Sequence, residues 1–157
     1  MALLLPSCSG ILNAQPRAPV TQACPTMEVS IVAGESVHSR RQVSAPDGTL
    51  ISLTDTPLLT IGDFTDANVS VTESQIVLNV SMSAESAQRV QTFTATHVGT
   101  RLAFLANGRV INTPKILDPI TGKGFLIGPL SHDEAQKLSD SINHRDGRCA
   151  RQRNDSF

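Results

Sequence analysis

Four histidines, His38, His97, His132 and His144, are where chemistry would first be sought in this chain. His132-Asp133-Glu134 has the residue types of a metal site. At the start of a helix, however, neighbours in sequence point in different directions. Two acids in a first turn more simply complement the positive end of the helix dipole. Thr94, Thr96, His97 and Thr100 offer hydroxyls beside an imidazole, the pieces of a nucleophilic site. His97 falls at a helix end, where a capping or packing role is expected. Gly99, Gly108, Gly122, Gly124 and Gly128 are not followed by the Gly-Lys-Ser/Thr of a phosphate loop, and Lys123 reads as a loop tip. Neither Gly-x-Ser-x-Gly nor His-Glu-x-x-His occurs. Arg40 and Arg41 fall, with His38, in a stretch expected to be a polar loop over residues 34–43. They are the types that hold an anion, and a solvated loop is the competing reading. No Cys-x-x-Cys pair occurs among Cys8, Cys24 and Cys149, which disfavours zinc and thioredoxin-like chemistry. The expectation is a chain that is not an enzyme, with no catalytic residue, metal ligand, cofactor or small-molecule substrate.

Bulk properties narrow the choice further. The 157 residues suit one domain with tails. Aromatics are 3 %, so the core must come from Val, Ile, Leu, Ala and five Phe. A net charge of −1, with no basic stripe interleaved with aromatics, disfavours nucleic acid as a partner. No run approaches the ~20 apolar residues that span a bilayer.

The elements that would position any site are clearest over residues 99–138. An apolar run from Leu102 to Ala106 is followed by Asn107-Gly108 and a second run from Arg109 to Ile111. Asn-Gly between such runs is a strong hairpin signal, since both residues tolerate positive φ. Phe125 to Ile127 is a further strand. Ser131 with Glu134 is a capping box opening a helix with Ala135, Leu138 and Ile142 on one face. Upstream, residues 28–33, 49–54 and 75–81 read as strands, with Ala45-Pro46-Asp47-Gly48 as a turn. Ser83 caps a helix whose stripe is Ala87, Val90, Phe93 and His97 or Val98. Strand, helix and returning strand suggest a βαβ unit whose strands are neighbours or near neighbours. The expected fold is α+β: a two-layer sandwich, two helices on one face of a mixed or antiparallel sheet, in βαββ(β)α order.

The same stretch resembles the head part of the first periplasmic domain of SecD, the protein-export subunit. The resemblance is carried by Gly99, Arg101-Leu102-Ala103, Val110-Ile111, Pro114-Lys115-Ile116, Pro119-Ile120-Thr121-Gly122, Ile127-Gly128 and Ser131 to Leu138. Upstream, Leu59, Thr60, Gly62, Phe64, Asp66 and Ala67 fit that family's pattern, with Ile61 inserted between Thr and Gly. The match runs from about Pro57 to Asn143; before Pro57 only general strand character is shared. The resemblance implies a fold, and fold alone does not give function. SecD's motor role relies on membrane-spanning helices, so the proton-driven activity is not expected to carry over to this sequence.

The first eight residues resemble the end of a bacterial lipoprotein signal, with Leu5, Ser7 and Cys8 in the matching places. That resemblance implies cleavage before Cys8 and its acylation. The competing reading is a disordered N-terminus with a chance cysteine. Three domains of organisation are expected: a signal-like segment and Pro-rich linker over 1–26, the α+β domain over 27–144, and a basic disordered tail over 145–157. If Cys8 is acylated, Cys24 and Cys149 remain at the two ends of the domain and would form a disulfide in an exported protein. Closing such a loop stabilises by about 4 kcal/mol in the chain-entropy account; two free thiols are the alternative. In the tail, Arg145, Arg148, Arg151 and Arg153 would touch anionic lipid only beside an anchor.

The function expected from the resemblance is an exported, non-catalytic binding module contacting polypeptide in protein export or envelope processes. Its location would be periplasmic and anchored to the membrane through the lipid. Contact is expected at an exposed sheet edge or the 114–124 loop, through Lys115, Ile116, Leu117, Ile120 and Phe125. The alternative is a structural lipoprotein of the envelope with one fixed partner.

Overall fold

The turn at Asn107-Gly108 forms as its residues dictate. In the structure, a computed structural model that describes residues 24–34 and 40–144, these two residues have φ of 51° and 76°. That left-handed pair matches the twist of a two-residue hairpin. It joins β7 (Leu102–Ala106) to β8 (Arg109–Asn112). On its other side β7 pairs antiparallel with β1 (Met27–Ile31), Val29 opposite Phe104. A short β4 (Leu59–Thr60) pairs with β1, so the strand order is β4-β1-β7-β8.

All five residues of β7 are apolar and buried, which requires that both faces of the sheet be covered. Leu102, Phe104 and Ala106 face the main core, whereas Ala103 and Leu105 meet Val110 and Leu53 in a smaller one. Leu53 comes from a hairpin of β2 (Arg40–Ser44) and β3 (Leu50–Thr54). The Ala45–Gly48 turn closes it, with Gly48 N–H donating to the Ala45 carbonyl at 2.9 Å. Arg40 and Arg41 therefore belong to a strand and not to the polar loop expected there. An ion pair from Arg41 to Glu28 ties β2 to β1. His38 lies outside the described residues.

A second sheet has the order β5-β6-β9, from β5 (Phe64–Thr72), β6 (Gln75–Met82) and β9 (Gly124–Ile127). Among the described residues every strand pairing is antiparallel. With two α-helices among them, the α+β class expected from the sequence holds. The βαβ expectation does not. Strands β6 and β7, which flank α1 (Ala84–Thr96), lie in different sheets. The helix bridges the two sheets where it was expected to cross over within one.

Both helices begin at the expected serines. Ser83 Oγ accepts from Ser86 N–H at 3.1 Å, and Ser131 Oγ accepts from Glu134 N–H at 3.3 Å. Only half of the second box forms, because the Glu134 carboxylate turns to Arg109 at 2.7 Å. Helix α2 (His132–Asn143) buries Ala135, Leu138 and Ile142 and packs chiefly on β5. Each fully buried Leu or Ile there contributes about 1.5–3 kcal/mol. On α1, Val90 is fully buried and Ala87 and Phe93 pack against the core, but His97 and Val98 are exposed. Ser86 and Thr94 are buried in their place.

Ser86 is buried because it meets Asp63, which closes a 3-10 turn over Ile61–Asp63. The Asp63 carboxylate accepts from Thr60 N–H at 2.7 Å and from Ser86 Oγ at 2.8 Å, and it pairs with Arg89. Burial alone would raise its pKa. The hydrogen bonds from Thr60, Ser86 and Arg89 outweigh burial and hold it below the ordinary 3.8. A carboxyl with a depressed folded pKa stabilises above its unfolded pKa, and that contribution is lost as pH falls through the folded value. Asp63→Asn is therefore expected to cost about 1–2 kcal/mol at neutral pH. The gap to wild type should shrink as pH falls below the ordinary 3.8 and through the lower folded value, as urea midpoints at neutral and acid pH would show.

Candidate functional site

Where the two sheets meet, Phe104 of β7 and Phe125 of β9 touch edge to face, with ring centroids 5.1 Å apart at 73°. Beside this contact the surface opens into a groove of about 280 Å³. Its deep residues are Leu102, Phe104 and Ile116, each no more than 5 % exposed. Half-buried Ile120 and Phe125 form walls, and Pro114, Lys115 and Leu126 are exposed along the rim. Leu126 is 61 % exposed, unusual for a Leu. Among the described residues, Lys115 is the only charged one lining the groove.

Each wall is held by a specific contact. The 114–116 segment runs alongside residues 99–102: Leu102 N–H donates to the Pro114 carbonyl at 2.9 Å and Ile116 N–H to the Thr100 carbonyl at 2.8 Å. This fixes Lys115 opposite Arg101. Ile120 is fixed by α1. Thr94 Oγ1 donates to the Val90 carbonyl at 2.8 Å and accepts from Ile120 N–H at 2.9 Å. Thr94→Val keeps the shape but leaves the Ile120 N–H without its acceptor, which is expected to cost about 1–3 kcal/mol. Amide hydrogen exchange should show Ile120 losing protection ahead of the strands.

Of the five residues expected to make contact, the structure brings Lys115, Ile116, Ile120 and Phe125 to one groove. Leu117 is not among its lining residues and stands 73 % exposed. Sequence reasoning did not find Asn112. Its Nδ2 donates to the Gly128 carbonyl at 3.1 Å, and its Oδ1 is buried without a hydrogen-bond partner, the only such side-chain atom among the described residues. Nothing in the chain around Asn112 signals this, because it depends on β8 reaching the end of β9.

Several of the groups first considered for chemistry make structural contacts. Thr94 is fully buried, whereas Thr96 and His97 are exposed, so they do not converge. His97 stacks on Phe93 at 4.0 Å and its Nδ1 lies 2.8 Å from the Phe93 carbonyl oxygen. Asp133 lies 4.0 Å from Lys137 and Glu134 pairs with Arg109. Among the described residues no group of three or more His, Cys, Asp or Glu is placed to hold a metal ion. No helix among them is long and apolar enough to cross a membrane. Cys24 is disulfide-bonded. Cys8, Cys149 and the tail arginines lie outside the described residues.

Comparison with known proteins places this geometry. A profile of the SecDF P1 head subdomain matches residues 31–144. The chain is 39 % identical over 66 residues to the protein translocase subunit SecD of Dictyoglomus turgidum (strain DSM 6724 / Z-1310), covering 41 % of this chain and 16 % of that protein. It is 32 % identical over 84 residues to SecD of Acidaminococcus fermentans, covering 52 % of this chain and 20 % of that protein. The chain thus spans a fifth or less of the length of these relatives. Among solved structures, a membrane component SecDF that enhances protein export superposes with a TM-score of 0.59 at 22 % identity, over 76 % of this chain and 62 % of that one. SecDF in its super-membrane-facing form superposes with a TM-score of 0.57, also at 22 % identity, over 74 % of this chain and 18 % of that one. At that identity the likeness is one of fold. With the profile spanning well over half its length, the chain belongs to the SecDF P1 head subdomain family.

Proposed function

We propose that this domain is a non-catalytic binding module of protein export that contacts polypeptide on the periplasmic side through the groove where the β7 and β9 sheets meet. The observation that carries this reading is the groove itself. It is apolar, open, and walled by Ile116, Ile120 and Phe125, which fall in the stretch where the chain resembles SecD. Unfolded polypeptide offers what fits it: apolar side chains not yet buried elsewhere. The relatives are named for protein translocation, and membership of their family supports the same process here. In the same reading, Cys8 carries a lipid anchor, and Cys24 pairs with Cys149 as an oxidising compartment permits. The disulfide at Cys24 supports the compartment.

The test is anisotropy of a labelled, reduced and alkylated unfolded protein titrated with the purified chain. Ile120→Asp puts a carboxylate where an apolar side chain would dock, and binding should weaken by about tenfold or more. Absence of binding by the wild-type chain, or equal binding by the variant, would overturn the reading.

A further inference from the structure

The geometry points to a mode of capture: we infer that the occupant of the groove is an extended polypeptide that adds as a strand to the free edge of β9. This rests on the polypeptide-binding reading above and specifies its chemistry. In an antiparallel ladder, alternate residues direct both their N–H and C=O to the neighbouring strand, and those between direct both away. Met82 N–H donates to the Lys123 carbonyl, and the register places Val80 opposite Phe125 and Leu78 opposite Ile127. Residues 123, 125 and 127 therefore bond to β6. Gly124, Leu126 and Gly128 turn their backbone groups outward, towards the groove side. The Gly128 carbonyl confirms the phase, since it accepts from Asn112 across the gap.

The two edges of this sheet are treated differently. At the β5 edge, Ala67 N–H and C=O are both taken by side chains of α2. Asn143 Oδ1 accepts the N–H at 2.9 Å, and Asn143 Nδ2 and Ser139 Oγ donate to the carbonyl at 2.7 Å each. At β9, among the described residues, only the Gly128 carbonyl is taken in this way, by Asn112 Nδ2, and the outward groups of Gly124 and Leu126 are not. Gly-Phe-Leu-Ile also carries no Pro or charge, the usual guards of an edge. Asn112, whose Nδ2 holds the Gly128 carbonyl, lines the same groove. Main-chain bonds would give affinity indifferent to sequence. Alternate side chains would enter the apolar groove, and Lys115 at its rim disfavours a cation there.

A short peptide of alternating Val and Ser is the probe, prepared unmodified, N-methylated at every Val, and N-methylated at every Ser. In an added strand, all residues facing the groove share one N–H direction. One methylated set should bind at least about tenfold more weakly, and the other nearly as well as the parent. Equal binding of all three forms, or equal loss in both methylated forms, overturns strand addition while leaving groove binding intact. Failure of the unmodified peptide and of the unfolded protein together removes both readings. Leu126→Pro deletes one outward N–H and none of the bonds to β6. It should weaken the unmodified peptide by about tenfold with unchanged circular dichroism. Should it not fold, the methylated peptides still decide. Dimerisation of the wild-type chain that Leu126→Pro abolishes would assign the edge to a second copy and overturn the proposal.

Discussion

Gly124→Ala is expected to lower stability by about 3 kcal/mol, while Gly122→Ala, two residues away, changes it by less than about 0.5 kcal/mol. The two glycines flank Lys123 and read alike in sequence. Their surroundings differ. A Cβ on Gly124 would stand 2.3 Å from the Val80 carbonyl oxygen, and one on Gly122 would meet nothing within 4 Å. A clash with a flexible side chain can relax by a rotamer change. A clash with a backbone oxygen of the adjacent strand can relax only if β9 moves off β6, breaking ladder bonds that start at Lys123 and Phe125. Phe125 would move with it and lose its contact with Phe104, the seam of the two sheets. Urea unfolding of the two variants side by side checks this. Equal midpoints would mean that β9 is held loosely enough to give way, and the groove would then have no fixed wall.

The same contrast explains how much of the molecule was legible before its structure. Three signals carried by neighbouring residues stand where the sequence places them. Asn107-Gly108 marked the β7–β8 hairpin, and Ser83 and Ser131 marked both helix starts. The β5–β6 hairpin escaped because its turn, Glu73-Ser74, uses left-handed φ of 50° and 65° without Gly or Asn. Such residues enter that region at a cost of about 1–2 kcal/mol each, and only the pairing of β5 with β6 along their length offsets it. The sheet to which a strand returns after α1 was not legible either. Helical spacing shows which face is apolar and not what it meets, so βαβ was expected where α1 bridges two sheets. At the groove, apolar character and the SecD-like motif picked out four of its lining residues. Thr94 and Asn112 were missed because each acts through a carbonyl or amide distant in sequence. A buried Thr on a helix reads as an interruption of the stripe, when here it is the anchor of Ile120.

Asn143→Leu should lower stability by about 3 kcal/mol and should also change how the chain associates. Asn143 lies in the last turn of α2, a position that in sequence suggests no more than a helix end. In the structure its amide sits against Ala67 as a neighbouring strand would, accepting the N–H and donating to the carbonyl. Ala67 is fully buried, and the chain bulges just before it, between Phe64 and Asp66. Leucine keeps the branching but leaves the Ala67 N–H unsatisfied in a buried site, whereas the carbonyl keeps its bond from Ser139. Ser139→Ala is the milder control, about 1 kcal/mol, because Asn143 still serves both groups of Ala67. The second effect follows from what the amide covers. With the Asn143 bond gone, the end of α2 is free to lift from β5, which exposes outward groups along a nine-residue strand, the arrangement that recruits other chains. Light scattering should show concentration-dependent association of Asn143→Leu beyond that of wild type and of Ser139→Ala at matched stability. Destabilisation without association would mean that α2 covers the β5 edge by its bulk and not through this one side chain. The two sheet edges would then differ in packing alone, and the closed character of β5 would no longer set off the open one of β9.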